Sequence, residues 1–324
     1  MTGLRKGRLR RAAPVPIVTV PIVTVALLAA ALLAFATSAA AAPGRQARHQ
    51  ADTAAYAGLG SWVDIFAGPT WTSPEATVAA LAAHGVGTLY LQTSNYSQLS
   101  ALLRPAALGR FVTAAHAAGL SLVAWYLPSL ADPQRDYQRA LAAIRFHTRA
   151  GDAFDSFALD IEASVVHDVS LRNARLLTLS RRLRAAAGPD YPLGAIIPSP
   201  VGMQRHPTYW PGFPYAPLAQ TFDVFLPMAY FTYYTRSSSG VYAYTRGVVR
   251  QIRARTARPD LPIHVIGGLA GGLGAPALAG FVRALTDCGV AGASLYEYPQ
   301  TTAGQWARLS ALGFDALEPN AACR

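Results

Sequence analysis

Lysine is almost missing from this sequence, and acids are scarce. Lys6 is the only lysine among 324 residues, and 17 Asp and Glu stand against 28 Lys and Arg. Charged residues make up 14% of the chain and hydrophobic ones 52%. That balance excludes a disordered chain and a charged coiled coil, and it leaves ample apolar material for a large core. Motifs are missing too. There is no H-E-x-x-H and the seven histidines stand singly, so no zinc hydrolase and no metal site is expected. His264 reads as a core histidine. Without G-x-S-x-G there is no serine-hydrolase elbow. No G-x-G-x-x-G follows the first predicted strand, and no cofactor is expected.

The formal charge is +11, but it is unevenly placed. Arg5, Lys6, Arg8, Arg10 and Arg11 lie in the first eleven residues, and residues 1–41 contain no Asp or Glu. Removing those five charges from +11 leaves +6. So mild a balance gives no basis for a nucleic-acid partner. A basic start, the apolar run Ala26–Phe35 and the small residues Ala39–Ala42 follow one another as in a secretory signal peptide, expected over residues 1–41. The alternative is a retained membrane anchor, which Pro14, Pro16 and Pro21 disfavour. Residues 42–58 read as a flexible linker. The expected product is secreted, free of the membrane after cleavage, and monomeric.

Only two cysteines occur. In an oxidising compartment Cys288 and Cys323 are the one available pair, and a disulfide between them is expected. Neither stands beside a histidine, which weakens a thiol nucleophile.

From Ser61 onward two patterns alternate. Short apolar runs occur at Trp62–Phe66, Gly87–Gln92, Ser121–Tyr126, Phe154–Ile161, Leu193–Ile197, Asp223–Met228, Ile263–Ile266 and Ala293–Tyr296. Their length and composition suit buried parallel strands. The segments between them carry helical spacing, including a helix expected over Asp132–Ala150. Gly85, Gly119, Gly151 and Gly289 fall where helix C-caps should be. Eight such units argue for an α/β fold, a single (β/α)8 TIM barrel over residues 59–324, rather than an open doubly wound sheet. In a barrel the site is assembled at the C-terminal ends of the strands. The candidates are then Asp64, Gln92, Trp125, Tyr126, Asp160, Glu162, Ser199, Tyr230, Glu297 and Tyr298.

The string Phe154–Asp155–Ser156–Phe157–Ala158–Leu159–Asp160–Ile161–Glu162 is the most informative. Two of the few acids stand two apart at the end of an apolar strand, and the period of two sends both to one face. Two carboxylates in a partly dry site cannot both ionise freely, so one is expected to hold its proton near neutral pH, as a general acid must. A carboxylate pair satisfied by arginines is the bland alternative. Glu297, across the barrel on strand eight, offers a second arrangement with the wider spacing of inverting glycosidases; a salt-bridged surface residue is its alternative.

These residues resemble glycoside hydrolase family 18, the chitinase and endo-N-acetylglucosaminidase family. Its strand-four motif is D-x-x-D-x-D-x-E. Asp155, Asp160 and Glu162 match the first Asp, the last Asp and the Glu, while Ala158 stands where the middle Asp belongs. Its strand-six motif is M-x-Y-D; Met228, Ala229 and Tyr230 match, and Phe231 replaces the Asp. Its last strand ends in Trp, where this chain has Tyr296, Glu297 and Tyr298. The resemblance implies Glu162 as acid/base, Asp160 as the residue that orients an N-acetyl group whose carbonyl attacks the anomeric carbon, and Tyr230 as a hydrogen-bond donor beside it. It implies a carbohydrate substrate, an N-acetylglucosamine-containing polysaccharide among the possibilities. The replaced acids favour the alternative of a barrel that binds carbohydrate without cleaving it.

Aromatics fit a sugar site. The segment Met203–Tyr215 carries Tyr209, Trp210 and Phe213, and Tyr233, Tyr234, Tyr242 and Tyr244 follow strand six. Flat apolar faces with polar edges suit pyranose rings, and Trp210 and Tyr233 are taken as substrate-binding together with Asp64, Gln92, Trp125, Tyr126 and Glu297. The alternative is that these rings pack the loops onto the rim. Gly267, Gly268, Gly271, Gly272 and Gly274 read as a flexible loop after strand seven. The N-terminal reading is directly testable. Mass mapping of the exported protein should find a chain beginning near Ala42; an intact chain retained in the membrane fraction contradicts it.

Overall fold

The computed structural model describes residues 51–320 and 323. The expected signal peptide over residues 1–41 and most of the expected linker lie outside the described residues. Eight parallel strands form a closed barrel in chain order: β1 (Gly58–Val63), β2 (Thr88–Asn95), β3 (Ser121–Leu127), β4 (Ser156–Asp160), β5 (Leu193–Pro198), β6 (Val224–Met228), β7 (His264–Leu269) and β8 (Gly292–Tyr296). β8 closes on β1 through Gly58 opposite Gly292. Helices follow the strands and pack outside; Gly85, Gly119 and Gly289 follow helix ends with positive φ, as expected, whereas Gly151, also at positive φ, ends no helix, its helix having stopped at Ile144. Among the described residues no helix is long and apolar enough to cross a membrane.

The period of two divides the core. Outward side chains such as Leu91, Ala124, Leu159, Ile197 and Phe225 join the helices in one large cluster. Inward side chains Trp62, Tyr90, Val123, Trp125, Ala158, Ile196, Val224, Leu226, Met228 and Ile266 fill the barrel itself. Tyr56 plugs its lower end, fully buried, and its hydroxyl donates to the Phe157 carbonyl at 3.0 Å. The linker expected through residue 58 therefore ends sooner, because the ring of Tyr56 is part of the barrel filling.

His264 is a core histidine, as expected, and its partners fix its tautomer. Nδ1 lies 2.9 Å from the Tyr56 carbonyl, which can only accept, so Nδ1 carries the proton. Nε2 then accepts from Ser294 Oγ at 3.0 Å, and Ser294 Oγ accepts from Trp62 Nε1 at 2.7 Å. Burial pushes the His264 pKa down to about 4, so the ring is neutral at ordinary pH. This chain of bonds holds Trp62 flat against Tyr90, with ring centroids 4.2 Å apart.

Three local expectations need correction. β1 begins four residues before the apolar run that announced it and ends at Val63, because Asp64 turns the chain by accepting from the amides of Phe66 and Ala67. Its glycines hid it: a Cβ at Gly60 would stand 2.6 Å from Tyr90 and 2.9 Å from His264. The helix expected over Asp132–Ala150 stops at Ile144, and His147 then bridges to Ala153. Gly267 and Gly268 belong to β7, where a Cβ would meet Phe281 or Thr232.

Cys288 and Cys323 are joined, with Cα atoms 4.9 Å apart, tying the tail to the end of helix Ala275–Cys288. The closed loop spans 35 residues. Loop-closure entropy puts its contribution at roughly 3–4 kcal/mol. Denaturant unfolding of the reduced protein, or of Cys288→Ser with Cys323→Ser, should show a loss of that size; unchanged stability contradicts it.

Candidate active site

Strand β4 ends at the centre of the barrel mouth. Asp160 is 5% exposed, and the inward side chains of its own and the next two strands, Ala158 before it, Ile196 opposite it, and Val224 and Leu226, are all apolar. Its Oδ1 is buried without a partner. Burial, and secondarily the charge of Glu162, push the Asp160 pKa well above the ordinary carboxylate range. Glu162, two residues on and half-buried, is raised by burial as well. No cation pairs with either carboxyl among the described residues, so the alternative of an arginine-satisfied pair is not what the fold builds. The pair retains a proton to higher pH than two isolated carboxyls would.

Two cavities meet at Glu162. The smaller, about 250 Å³, opens above the barrel axis and is walled by Trp62, Gln92, Trp125, Asp160, Tyr230 and Tyr296, among others. The larger, about 510 Å³, lies over the loops after β5 and β6 and is walled by Ser199, His206, Thr208, Tyr209, Tyr234 and Tyr244, among others. Glu162, Met228, Tyr230 and Tyr233 border both. Burial and then the neighbouring acids hold the Tyr230 hydroxyl far above its usual pKa, so it stays a hydrogen-bond donor.

Other expected site residues divide into two sets. Gln92 and Trp125 reach the smaller cavity. Gln92 Oε1 accepts from the Ile65 amide at 3.0 Å, and Trp125 Nε1 is a buried donor with no partner. Tyr233 stands at the rim, 67% exposed. Ser199 is placed on the larger cavity, accepting from Tyr244 at 2.8 Å.

Tyr126 does not belong to the site. It follows the inward Trp125 and so faces outward, donating to the buried Asp136 at 2.7 Å. Nor does Trp210, which is buried against helix Val169–Ala187 and donates to Asn173 at 2.7 Å; its neighbour Tyr209 takes the cavity wall. Asp64 is occupied by structure. Its Oδ1 caps the β1 turn and its Oδ2 accepts from Tyr296 at 2.8 Å, so it positions a cavity wall rather than forming one. Glu297 lies beside Asp64 on neither cavity wall, and burial followed by the Asp64 charge raises its pKa to about 7.

Trp62 was not among the expected site residues, and Tyr209, one of the expected sugar-site aromatics, makes a contact the sequence does not show. Trp62 floors the smaller cavity, and its position two before Asp64 on an alternating strand was the available signal. Tyr209 donates its hydroxyl to the Glu162 carbonyl, a contact between loops that no periodicity reveals. The family motif is also redistributed. Asp155 sits at the lower end of β4, accepting from the Leu122 amide at 2.7 Å, and Phe231 is wholly buried in the outer core against Phe281.

No family model and no curated protein matches the sequence. Solved structures do share the fold. A GH5_18 protein from Streptomyces cattleya in complex with GlcNAc superposes with a TM-score of 0.60 at 13% identity, covering 82% of each chain. A class V chitinase from Pseudomonas fluorescens gives 0.54 at 13% identity, over 78% of this chain and 98% of that one. An endo-β-1,4-mannanase from Thermotoga petrophila gives 0.58 at 11%, over 75% and 68%. These likenesses establish the barrel.

The raised Glu297 pKa has a consequence for stability. An unfolded Glu ionises near its ordinary 4.5, while the folded one lags until about 7. Wild type therefore loses stability as pH rises across that window. Glu297→Gln should gain in melting temperature relative to wild type between pH 4.5 and 7 and show no change in that difference below it. A difference independent of pH contradicts the assignment.

Proposed function

We propose that this chain is a secreted glycoside hydrolase acting on a polysaccharide, with Glu162 as general acid/base. The observation that carries the reading is the place of Glu162: a carboxyl with a raised pKa at the junction of two cavities, one for the sugar that is cleaved and one for its leaving group. Similar barrels in a chitinase, a mannanase and a GlcNAc complex support it.

On this reading a sugar ring lies in the smaller cavity above Trp62, with Trp125 Nε1 and Gln92 as hydrogen-bonding groups. Glu162 gives its proton to the glycosidic oxygen as the bond to the anomeric carbon breaks, and the leaving sugar occupies the tyrosine-lined cavity. For an N-acetylated sugar, the acetamido carbonyl forms the new bond to the anomeric carbon, held by Asp160 and Tyr230. Water then opens that intermediate and returns a proton to Glu162. Burial of the pair raises both carboxyls, so Glu162 keeps its proton to higher pH than an exposed Glu would.

A non-catalytic carbohydrate-binding barrel is the second reading, favoured by Ala158 and Phe231 in place of acids. Hydrolysis of chitin, peptidoglycan and mannan by wild type, with Glu162→Gln as control, separates the two. Turnover should fall by about 10²–10⁴-fold in Glu162→Gln with sugar affinity near normal. Tyr230→Phe should cost less, as the loss of one hydrogen bond. No cleavage of any glycan by wild type supports the second reading, and undiminished cleavage by Glu162→Gln overturns the assigned role.

A further inference from the structure

Arg172 is 2% exposed and has no carboxylate partner among the described residues. It rises from the first turn of helix Val169–Ala187. Its Nη2 donates to the Tyr209 carbonyl at 2.9 Å, its guanidinium lies 4.1 Å from the Trp210 ring centre, and its Nε has no partner. Arginine cannot escape this position by losing its proton. A buried cation satisfied by one carbonyl and a ring face is short of its usual compensation, and an incoming anion would supply it.

There is room for such an anion. Arg172 walls a cavity of about 220 Å³ together with Ser164, His167, Val169, Thr208 and Tyr209. No Asp or Glu lines it, and the nearby Asp168 carboxylate is engaged in capping the helix through the Leu171 amide at 3.0 Å. The hydroxyls of Ser164 and Thr208 and the ring of His167 add hydrogen-bonding groups, while the Tyr209 hydroxyl is already committed to the Glu162 carbonyl. The cavity also has a direction. Thr208 and Tyr209 line the larger active-site cavity too, and Tyr209 donates to the Glu162 carbonyl. The cation therefore stands beside the leaving-group side of the acid.

We propose that this cavity binds the carboxylate of an acidic sugar residue in the substrate, on the leaving-group side of the cleaved bond. This rests on the glycosidase reading for its orientation, but the binding itself needs no catalysis. A charge-assisted hydrogen bond to Arg172 would make acidic glycans preferred over neutral ones of the same shape.

The test is binding to the wild-type exported protein, followed by NMR or calorimetry. The probes are N-acetylmuramic acid, its uncharged amide, N-acetylglucosamine and inorganic phosphate. The acid should bind about tenfold or more tightly than its amide, with a preference that shrinks as salt rises. Arg172→Gln, checked for an unchanged melting temperature, should remove that preference while N-acetylglucosamine still binds. Equal affinity for the acid and its amide in wild type overturns the proposal without any variant and leaves the glycosidase reading standing. Phosphate that binds as tightly as the acid overturns the sugar assignment. Acid preference in a protein that cleaves no glycan upholds this site and removes only the catalytic reading.

Discussion

Asp160 is a carboxyl group enclosed by a closed barrel, among the inward apolar side chains Ala158, Ile196, Val224 and Leu226, with one oxygen unpartnered among the described residues. Burying a charge without a cation or a full set of donors is costly, and the group answers by keeping its proton. The consequence passes to Glu162. Two interacting acids share that resistance to ionisation, so Glu162, which borders both cavities, holds its proton to higher pH than an isolated carboxyl would. Trp62, Trp125, Tyr230 and Tyr296 wall the cavity that the pair faces. Trp62 is in turn held by Ser294 and His264, which reach down to Tyr56 at the lower end. The site and the barrel filling are one hydrogen-bonded and packed column.

The loops give that column its surroundings. The segments after β5 and β6 contribute a cavity of about 510 Å³ walled by tyrosines, and Tyr209 fastens one of them to the Glu162 backbone. Chitinase, mannanase and GlcNAc-bound structures share the barrel at 11–13% identity. That likeness extends to the barrel alone, and on the proposed glycosidase reading the choice of sugar falls to these loops and to the charge beside them.

Alternation made most of this legible in the sequence. Apolar runs of strand length gave seven of the strands nearly in place, and the period of two put Asp160 and Glu162 on one face. The same rule exposes the error at Tyr126: adjacent strand residues cannot share a face, and Trp125 took the inner one. β1 was misplaced because Gly60, required by the close approach of Tyr90 and His264, and Gly58, which has a positive φ of 77°, look like a loop. In loops the rule gives nothing. Trp210 and Tyr209 were indistinguishable as sugar platforms, and only the buried contact of Trp210 with Asn173 and Arg172 separates them. Asp64 and Glu297 were visible as acids at strand ends, but their engagement with each other and with Tyr296 depends on ring closure between β1 and β8.

The Asp160–Glu162 pair resists ionisation because the barrel leaves Asp160 buried without compensation. Carboxyl-carbon NMR of the labelled protein, with Asp160→Asn and Glu162→Gln used to assign the two signals, reads this directly. Both of the pair's titration steps should be displaced above the ordinary carboxylate range, the Asp160 signal changing with Glu162→Gln. Two carboxyls that ionise together at the ordinary values of about 4 would contradict it.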